Sequence, residues 1–309
     1  MEKIYNVCIC TYLRPKSLRR CLEALSKQLV NHHGRVFELT IIDNDVHESA
    51  KANALSFNSD VFQTIRYTTE ARRGIPFARN HAIDTSLSAG SDFLIFIDDD
   101  EEPSLDWLEQ LCSFSEQDHG KAIVHGGVVD RLPQDTPTAI RSLFGKNGSR
   151  PTGAEMHTCA TDNVLVPRAV FDQSGLRFDT SEPLAGGTDT LFFSLARRTG
   201  YTIKCCNEAQ VTAHIHPSRA CLSWLMKRKF RAGITDFKRK RNDGKSTLYL
   251  LLASALHTCL HSLATLLYTV TLNKANQYKS LLHLSRSCGR LWSFWGGTYN
   301  AYQTVDNSG

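Results

Sequence analysis

The sequence predicts an α/β fold, a mainly parallel sheet flanked by helices, on three observations. Short apolar, β-like runs alternate with segments of helical periodicity from the N-terminus to about Phe114, and repeated βα units of this length build parallel sheets covered by helices. Thr11, Asp43, Asp45 and Asp98–Asp100 all fall at the carboxyl ends of such runs, where sheets of this kind bind ligands. The chain has 309 residues, enough for one large domain or a domain with an appendage.

Each element has its own signal. "YNVCIC" reads as a strand. "SLRRCLEALSKQL" is helical because Leu18, Cys21, Leu22, Leu25 and Leu29 share a face. "FELTIID" is a second strand, "ESAKANAL" a helix, "QTIRYTT" a third strand, "IPFARNHAIDTSL" a helix and "DFLIFID" a fourth strand. "SLDWLEQLCSF" is a helix with Ser104 as its expected N-cap. "AIVHGGVVDRL" is β-like, 133–155 is rich in Pro, Gly, Ser and Thr, and "DNVLVPRAVF" gives a strand and a turn. "DTLFFSLARRTG" is a helix closed by Gly200, and "TIKCCNEAQVTAHIH" returns to β pattern.

Composition is ordinary and globular, which excludes disorder as the default. The net charge of +5 is local in origin. Between Lys227 and Lys245 nine basic residues face two acidic ones, so the remainder is slightly acidic. Ten scattered cysteines form no CxxC pair, and "MEKIYNVCIC" has no apolar core of a signal peptide. Reduced thiols and a cytoplasmic location are therefore expected, and the sequon at Asn147 carries no weight. Nucleotide-binding fingerprints are absent: no GxGxxG follows the first strand, and "NDGKST" has Arg239 where a P-loop needs its first glycine, so it reads as a turn.

Five acidic residues in a row, Asp98 to Glu102, follow the fourth strand. Carboxylates crowded at the end of a buried strand repel unless a cation sits there. A divalent metal holding phosphate oxygens resolves this, since hard cations take carboxylate oxygens. The alternative is a solvated loop whose acids favour the next helix's N-terminus; the apolar strand before it and the helix after it favour the metal. Glu101 and Glu102 are expected only to lead toward that helix.

"ICTYLRP" at 9–15, "IIDND" at 41–45, "RRGIPFARNHAI" at 72–83 and "FIDDDEEPSLDWL" at 96–108 together resemble the family 2 glycosyltransferases over roughly residues 4–240. The likeness is nearest to the succinoglycan-biosynthesis type, which makes bacterial exopolysaccharide and lipopolysaccharide sugars. The resemblance implies an A-type glycosyltransferase fold with residues 1–220 catalytic: a nucleotide-sugar half at about 1–125 and an acceptor half at about 126–220. It implies that Asp98-Asp99-Asp100 is a DXD motif, with Asp100 the direct ligand of Mn2+ or Mg2+, Asp98 nearer the ribose and Asp99 in support. Thr11 and Asp43 would contact the nucleoside, with Asp45 close by; Arg14 and Arg79 would face the donor. Asp189 in "GGTDTLFF" would be the catalytic base. The family's acidic pair at that helix is here Thr188-Asp189, which leaves open what orients the acceptor; Asp189 alone could equally be a helix N-terminal residue. The implied donor is a nucleotide-diphosphate sugar, with UDP-sugars favoured, and the implied acceptor a lipid-linked glycan.

Sugar transfer needs the leaving diphosphate neutralised and the attacking hydroxyl deprotonated. With a base and no protein nucleophile, a single displacement inverts the anomeric carbon. His214 and His216 lie two apart and would share a strand face; either could complete a metal's coordination, or both could be ordinary structural histidines. Arg219 could clamp the diphosphate.

The basic run lacks the motifs and aromatic interleaving of a nucleic-acid site. No residue from Ser246 to Asn273 is charged. Ser254, Thr258, His261 and Thr265 form a polar stripe, and Leu252, Leu256, Leu260, Leu263 and Leu267 an apolar one. This favours an amphipathic helix in a membrane interface, or packed on the catalytic domain, over a spanning one. Trp292 and Trp295 suit a second such helix, and 221–309 reads as a basic, amphipathic helical region drawn to an anionic membrane on its cytoplasmic side. The expectation is a metal-dependent, inverting glycosyltransferase. The alternatives are a sugar nucleotidyltransferase, for which the glycines of its N-terminal loop are missing, and a non-catalytic membrane-binding module.

Overall fold

A computed structural model of the chain describes residues 2–145 and 150–300; Asn147 and residues 301–309 lie outside them. The chain runs β1 (Lys3–Thr11), α1 (Pro15–Leu25), β2 (Arg35–Asp43), α2 (Lys51–Ser56), β3 (Thr64–Thr69), α3 (Ile75–Ser88), β4 (Phe93–Asp98), β5 (Glu101–Pro103) and α4 (Trp107–Gln117). It continues with β6 (Ile123–Arg131), α5 (Thr138–Arg141), β7 (Asn163–Pro167), α6 (Ala169–Asp172), α7 (Thr188–Arg198) and β8 (Ile203–His214). Three long helices close it: α8 (Leu222–Asn242), α9 (Thr247–Val270) and α10 (Lys274–Phe294).

The strands form one mixed sheet in the order β3-β2-β1-β4-β7-β6-β8-β5. β1 to β4 are mutually parallel, as the βα repeats require, and β7 then runs antiparallel to β4. Strand alternation divides the core. Tyr5, Val7 and Ile9 of β1 pack with Leu18, Leu22, Leu25 and Trp107 on one face. Cys8 packs with Ala78, Ala82, Val164 and Phe193 on the other. Both faces are covered, which is why these strands read as nearly continuous apolar runs. All ten cysteines are unpaired.

The second half is fastened by Asn163. Its amide donates to the carbonyls of Gly127 (3.0 Å) and Ala209 (2.8 Å) and accepts from Trp107 Nε1 (2.8 Å). It thus ties β6, β7, the chain of β8 and α4 together. The register of β6 and β8 shifts between Gly126 and Gly127. A methyl group on Gly126 would stand 2.2 Å from the Asn163 amide nitrogen, so only glycine fits.

Four expectations are corrected. Glu101 and Glu102 do not lead into a helix: they form β5, paired antiparallel with Ala213 and Thr212 of β8. Ser104 is not the N-cap of α4. That helix begins at Trp107 after Asp106, and the Ser104 hydroxyl instead donates to Asp106 Oδ1. α1 ends at Leu25, leaving Leu29 exposed beyond it. The "NDGKST" segment is the expected turn between α8 and α9, whereas β8 is a single strand that ends at His214, so His216 lies outside it.

α8 and α10 cross closely. A methyl on Gly233 would stand 2.1 Å from the Arg286 carbonyl oxygen, and one on Gly289 2.0 Å from that of Phe230. Buried Asp236 anchors the crossing with Arg239 (2.9 Å), Arg290 Nε (2.8 Å) and, farther off, Lys240 and Arg286, which hold its carboxyl below the usual range against the cost of burial. Part of the basic run is therefore neutralised internally, Lys238 with Glu182 included. α9 packs on α10 with its polar stripe inward: Ser254 is buried, and His261 stacks on His283 with ring centroids 4.9 Å apart. Leu252, Leu256, Leu260, Leu263 and Leu267 face outward, each more than half exposed. α9 is long and apolar enough to cross a membrane.

Candidate active site

Register brings the predicted donor residues together. In the parallel pairs, Thr11 stands opposite Asp43, and Cys10 opposite Asp98. The carboxyl ends of β1, β2 and β4 thus form one rim, and the acids after β4 turn across it.

The rim is a network of opposite charges. The Thr11 hydroxyl donates to Asp99 Oδ2 at 2.7 Å. Arg14 Nη1 bridges Asp99 Oδ1 and Asp100 Oδ2, both at 3.1 Å. Arg219 Nη1 reaches Asp100 Oδ2 at 3.5 Å, so a residue far along the chain joins the cluster. Arg79 Nη2 lies 4.0 Å from Asp98 Oδ1, with its guanidinium over the Phe178 ring. Asp98 is pushed up to about 7, first by removal from bulk water and then by Asp100, Asp162 and Asp99, against Arg79. Asp99 is raised in the same way, by burial and by Asp100, with Arg14 opposing.

Asp43 and Asp45 are buried beside it. Asp43 accepts from the backbone of Asp45 and Ala50 and from the Tyr67 hydroxyl, so both its oxygens hold the 44–50 loop. Asp45 Oδ1 accepts from His47 N, while its buried Oδ2 has no partner among the described residues.

Asp189 lies in the first turn of α7 and accepts from Thr190 N at 2.7 Å through Oδ1. Gly187, in the left-handed region (φ 82°), leads into the helix, and a methyl there would stand 2.3 Å from Thr235 Oγ1 of α8. A cleft beside it is lined by Asp179, Glu182, Thr188, Arg231, Thr235 and Lys238. The Thr188 hydroxyl, standing where the family has Glu, is buried without a partner among the described residues. The buried Cys159 thiol is raised by burial and then by Asp162 and Asp189, and the neighbouring Thr158 hydroxyl donates to the Thr190 carbonyl at 3.1 Å.

His214 and His216 are not brought together on one face. His214 Nε2 lies 3.0 Å from Glu102 Oε1, which also meets Arg20 Nε at 2.8 Å. His216 turns its Nδ1 to Ser218 beyond the strand. Among the described residues, no group of three His, Cys, Asp or Glu side chains stands together so as to hold a metal ion.

Two acids were given another role by the sequence, and a third, Asp162, was not singled out. Glu101 is buried in β5, its carboxyl well above the usual range through burial and then Asp162, Asp98 and Asp100. Glu102 holds Arg20 and His214. Asp162 Oδ1 lies 3.1 Å from His125 Nε2 and accepts from it when that nitrogen carries the ring proton. Only alternation in "DEEP" and "VTAH" hints at the β5–β8 pairing, and no motif marks Asp162.

A parallel βα half, an acidic rim at its strand ends and an antiparallel β7 beside it define the A-type glycosyltransferase fold. The mannosyltransferase PcManGT from Pyrobaculum calidifontis, solved with GDP-Man and Mn2+, matches 94% of this chain and 88% of its own at a TM-score of 0.60 and 17% identity. TarS 1–349 of S. aureus, solved with UDP-GlcNAc, matches over 91% and 90% at a TM-score of 0.56 and 14% identity. The model of glycosyl transferase family 2 matches residues 6–175, and the chain belongs to that family: it is a glycosyltransferase. The succinoglycan biosynthesis protein ExoM of Rhizobium meliloti (strain 1021) is 34% identical over 74% of this chain and 73% of its own length.

Proposed function

We propose that this enzyme transfers a sugar, with inversion, from a nucleotide-diphosphate sugar to a hydroxyl of a lipid-linked glycan in surface polysaccharide synthesis. The observation that carries this reading is the convergence of Thr11, Asp43, Asp45 and Asp98–Asp100 on one rim, with Arg14 and Arg219 both held on Asp100. The similarity to ExoM supports the polysaccharide, and the nucleotide-sugar complexes of the structural neighbours support the donor class, with UDP-sugars favoured.

Residues 1–220 carry the chemistry in this reading. Thr11, Asp43 and Asp45 receive the nucleoside, and the partnerless Oδ2 of Asp45 suits a polar contact to it. Arg14, Arg79 and Arg219 are the cations within reach of a diphosphate, where a guanidinium fork fits two phosphate oxygens. The rim's carboxylate oxygens are the donor type that a hard divalent ion, Mn2+ or Mg2+, takes, and the repulsion of Asp100, Asp162 and Asp99 adds to burial in raising Asp98 to about 7. Asp100 would hold it, with Asp98 and Asp99 beside it and His214 or His216 as the nitrogen candidates. Bound there, the ion supplies Lewis-acid neutralisation of the leaving diphosphate.

Asp189 takes the proton as the acceptor oxygen bonds to the anomeric carbon and the bond to the diphosphate breaks, the electron pair leaving with the diphosphate. No protein nucleophile intervenes, so the configuration inverts. The outward leucines of α9, the exposed Trp292 and Trp295, and the exposed Lys227, Arg228, Lys229, Arg241 and Lys245 favour α8–α10 as a peripheral anchor on an anionic cytoplasmic membrane face, where the acceptor lipid resides.

The test is Asp189→Asn. Binding of UDP with Mn2+, followed by calorimetry, should be within about twofold of wild type, while transfer falls by about 10²–10⁴-fold. Substantial transfer by the variant removes Asp189 as the base, and nucleotide binding unaffected by Mn2+ or Mg2+ removes the metal.

A further inference from the structure

We infer that Asp162, held by His125, recognises hydroxyl groups of the transferred sugar and so helps to set donor specificity; this rests on the donor-site reading above. β4 and β7 are antiparallel, with Ile97 opposite Asn163. The next positions outward are Asp98, the last residue of β4, and Asp162, immediately before β7. The donor-side acid and Asp162 are therefore lateral neighbours at the rim, contributed by strands that arrive from opposite directions.

The segment that carries Asp162 also reaches the proposed base. Thr158, four residues earlier, donates from its hydroxyl to the Thr190 carbonyl at 3.1 Å, one residue beyond Asp189. The 158–162 segment thus runs from the first turn of α7, where Asp189 lies, to the rim where Asp98 ends β4. The sugar ring of a donor must lie between those two ends, because its anomeric carbon is bonded to the diphosphate and attacked from the base's side. Asp162 is the acid that this segment brings to the rim.

Its environment suits hydroxyl recognition. The side chain is about one-quarter exposed and His125 less so. His125 sits on β6 opposite Val164 of β7, which fixes the imidazole beside the carboxylate. The His125 contact and the Asn163 backbone amide hold the Asp162 carboxyl below its usual range despite burial. An ionised carboxylate is acceptor-only, and sugar hydroxyls are donors, so the two are complementary. The His125–Asp162 contact stands at the rim itself, beside Asp98. Thr188, which replaces the Glu that the resemblance leads one to expect, leaves the site with one acid fewer on α7, and Asp162 supplies one from the position just before β7.

The test compares nucleotides with their sugars. Binding of UDP, GDP, UDP-glucose, UDP-N-acetylglucosamine and GDP-mannose, each with Mn2+, is measured for wild type, Asp162→Asn, His125→Gln and His125→Ala, with melting curves as a folding control. In wild type one nucleotide sugar should bind more tightly than its parent nucleotide. Asp162→Asn should keep nucleotide affinity and lose about 10- to 100-fold of the sugar's added affinity, raising KM for that donor more than it lowers kcat. His125→Ala should act in the same direction, and His125→Gln, which can still hydrogen-bond, should recover part of the loss. Identical discrimination between sugar and nucleotide in wild type and Asp162→Asn overturns the assignment while leaving the donor site intact. Equal loss of UDP and UDP-sugar also overturns it, since that marks a structural role. Failure of wild type to bind any nucleotide overturns the donor-site reading itself, and this inference with it.

Discussion

Trp107 Nε1 donates to Asn163 Oδ1 at 2.8 Å, and both residues are wholly buried. The contact joins α4 to the first residue of β7. The same Asn163 amide serves two carbonyls. Asn163→Leu, close in size but unable to bond, should leave the indole N–H and both carbonyls unpaired. The expected loss is about 2–5 kcal/mol, read by denaturant unfolding. A change below about 1 kcal/mol would show that water or repacking satisfies these groups.

At the α8–α10 crossing, Gly233→Ala places a methyl 2.1 Å from the Arg286 carbonyl oxygen. Backbone cannot yield as a flexible side chain can, so the helices must separate. The variant should lose about 1–3 kcal/mol and melt several degrees lower. Unchanged melting would mean that the crossing opens without cost.

The stacked His261 and His283 give α9 a pH-dependent hold on α10. Both are lowered below the usual imidazole range, His261 by burial and then His257, His283 by burial and then His261, Lys229, Arg286 and Arg290. The folded form therefore prefers them neutral. Their stabilisation is complete above the unfolded value of about 6.5 and is lost as pH falls through the lower folded values. Melting temperature should drop on acidification from pH 7 to 5, and less so in His283→Gln. Because both rings touch solvent, the difference should be about a few degrees at most. Equal acid sensitivity in wild type and His283→Gln would assign the drop to other groups.

Under the anchor proposal, Leu256→Glu with Leu263→Glu should abolish co-sedimentation with vesicles containing phosphatidylglycerol. Both leucines point away from the protein, so melting should shift by less than about 2 °C. Each buried leucine is worth about 1.5–3 kcal/mol, so vesicle binding should fall by at least about tenfold. Binding unchanged by the pair of charges would sink the anchor.

The parallel half was legible because its signal is local. Tyr5, Val7 and Ile9 announce a strand, and Leu18, Cys21, Leu22 and Leu25 a helix, within one window each. The rim followed, since Thr11, Asp43 and Asp98 end their strands and parallel register lines up the ends. β5 was hidden because Glu101 pairs with Ala213, far along the chain, and nothing near Glu101 reveals that partner. Leu29 continued a helical pattern past the point where α1 stops. The stripes of α9 were correctly separated by periodicity, but period alone does not say which stripe faces α10. Asp162 was illegible for a similar reason: its meaning lies in the reversed register of β7 against β4.

That reversal has a practical side. Because β7 begins at the rim where β4 ends, Asp162 is delivered by the connection from β6 and not by β1, β2 or β4. Under the two proposals above, the residues that hold the nucleotide and the acid that faces the sugar are set by separate stretches of chain. Exchanging the connection between related enzymes could redirect which sugar is moved while Thr11, Asp43 and the Asp98–Asp100 turn remain untouched, giving engineers a graft boundary that the strand directions themselves draw.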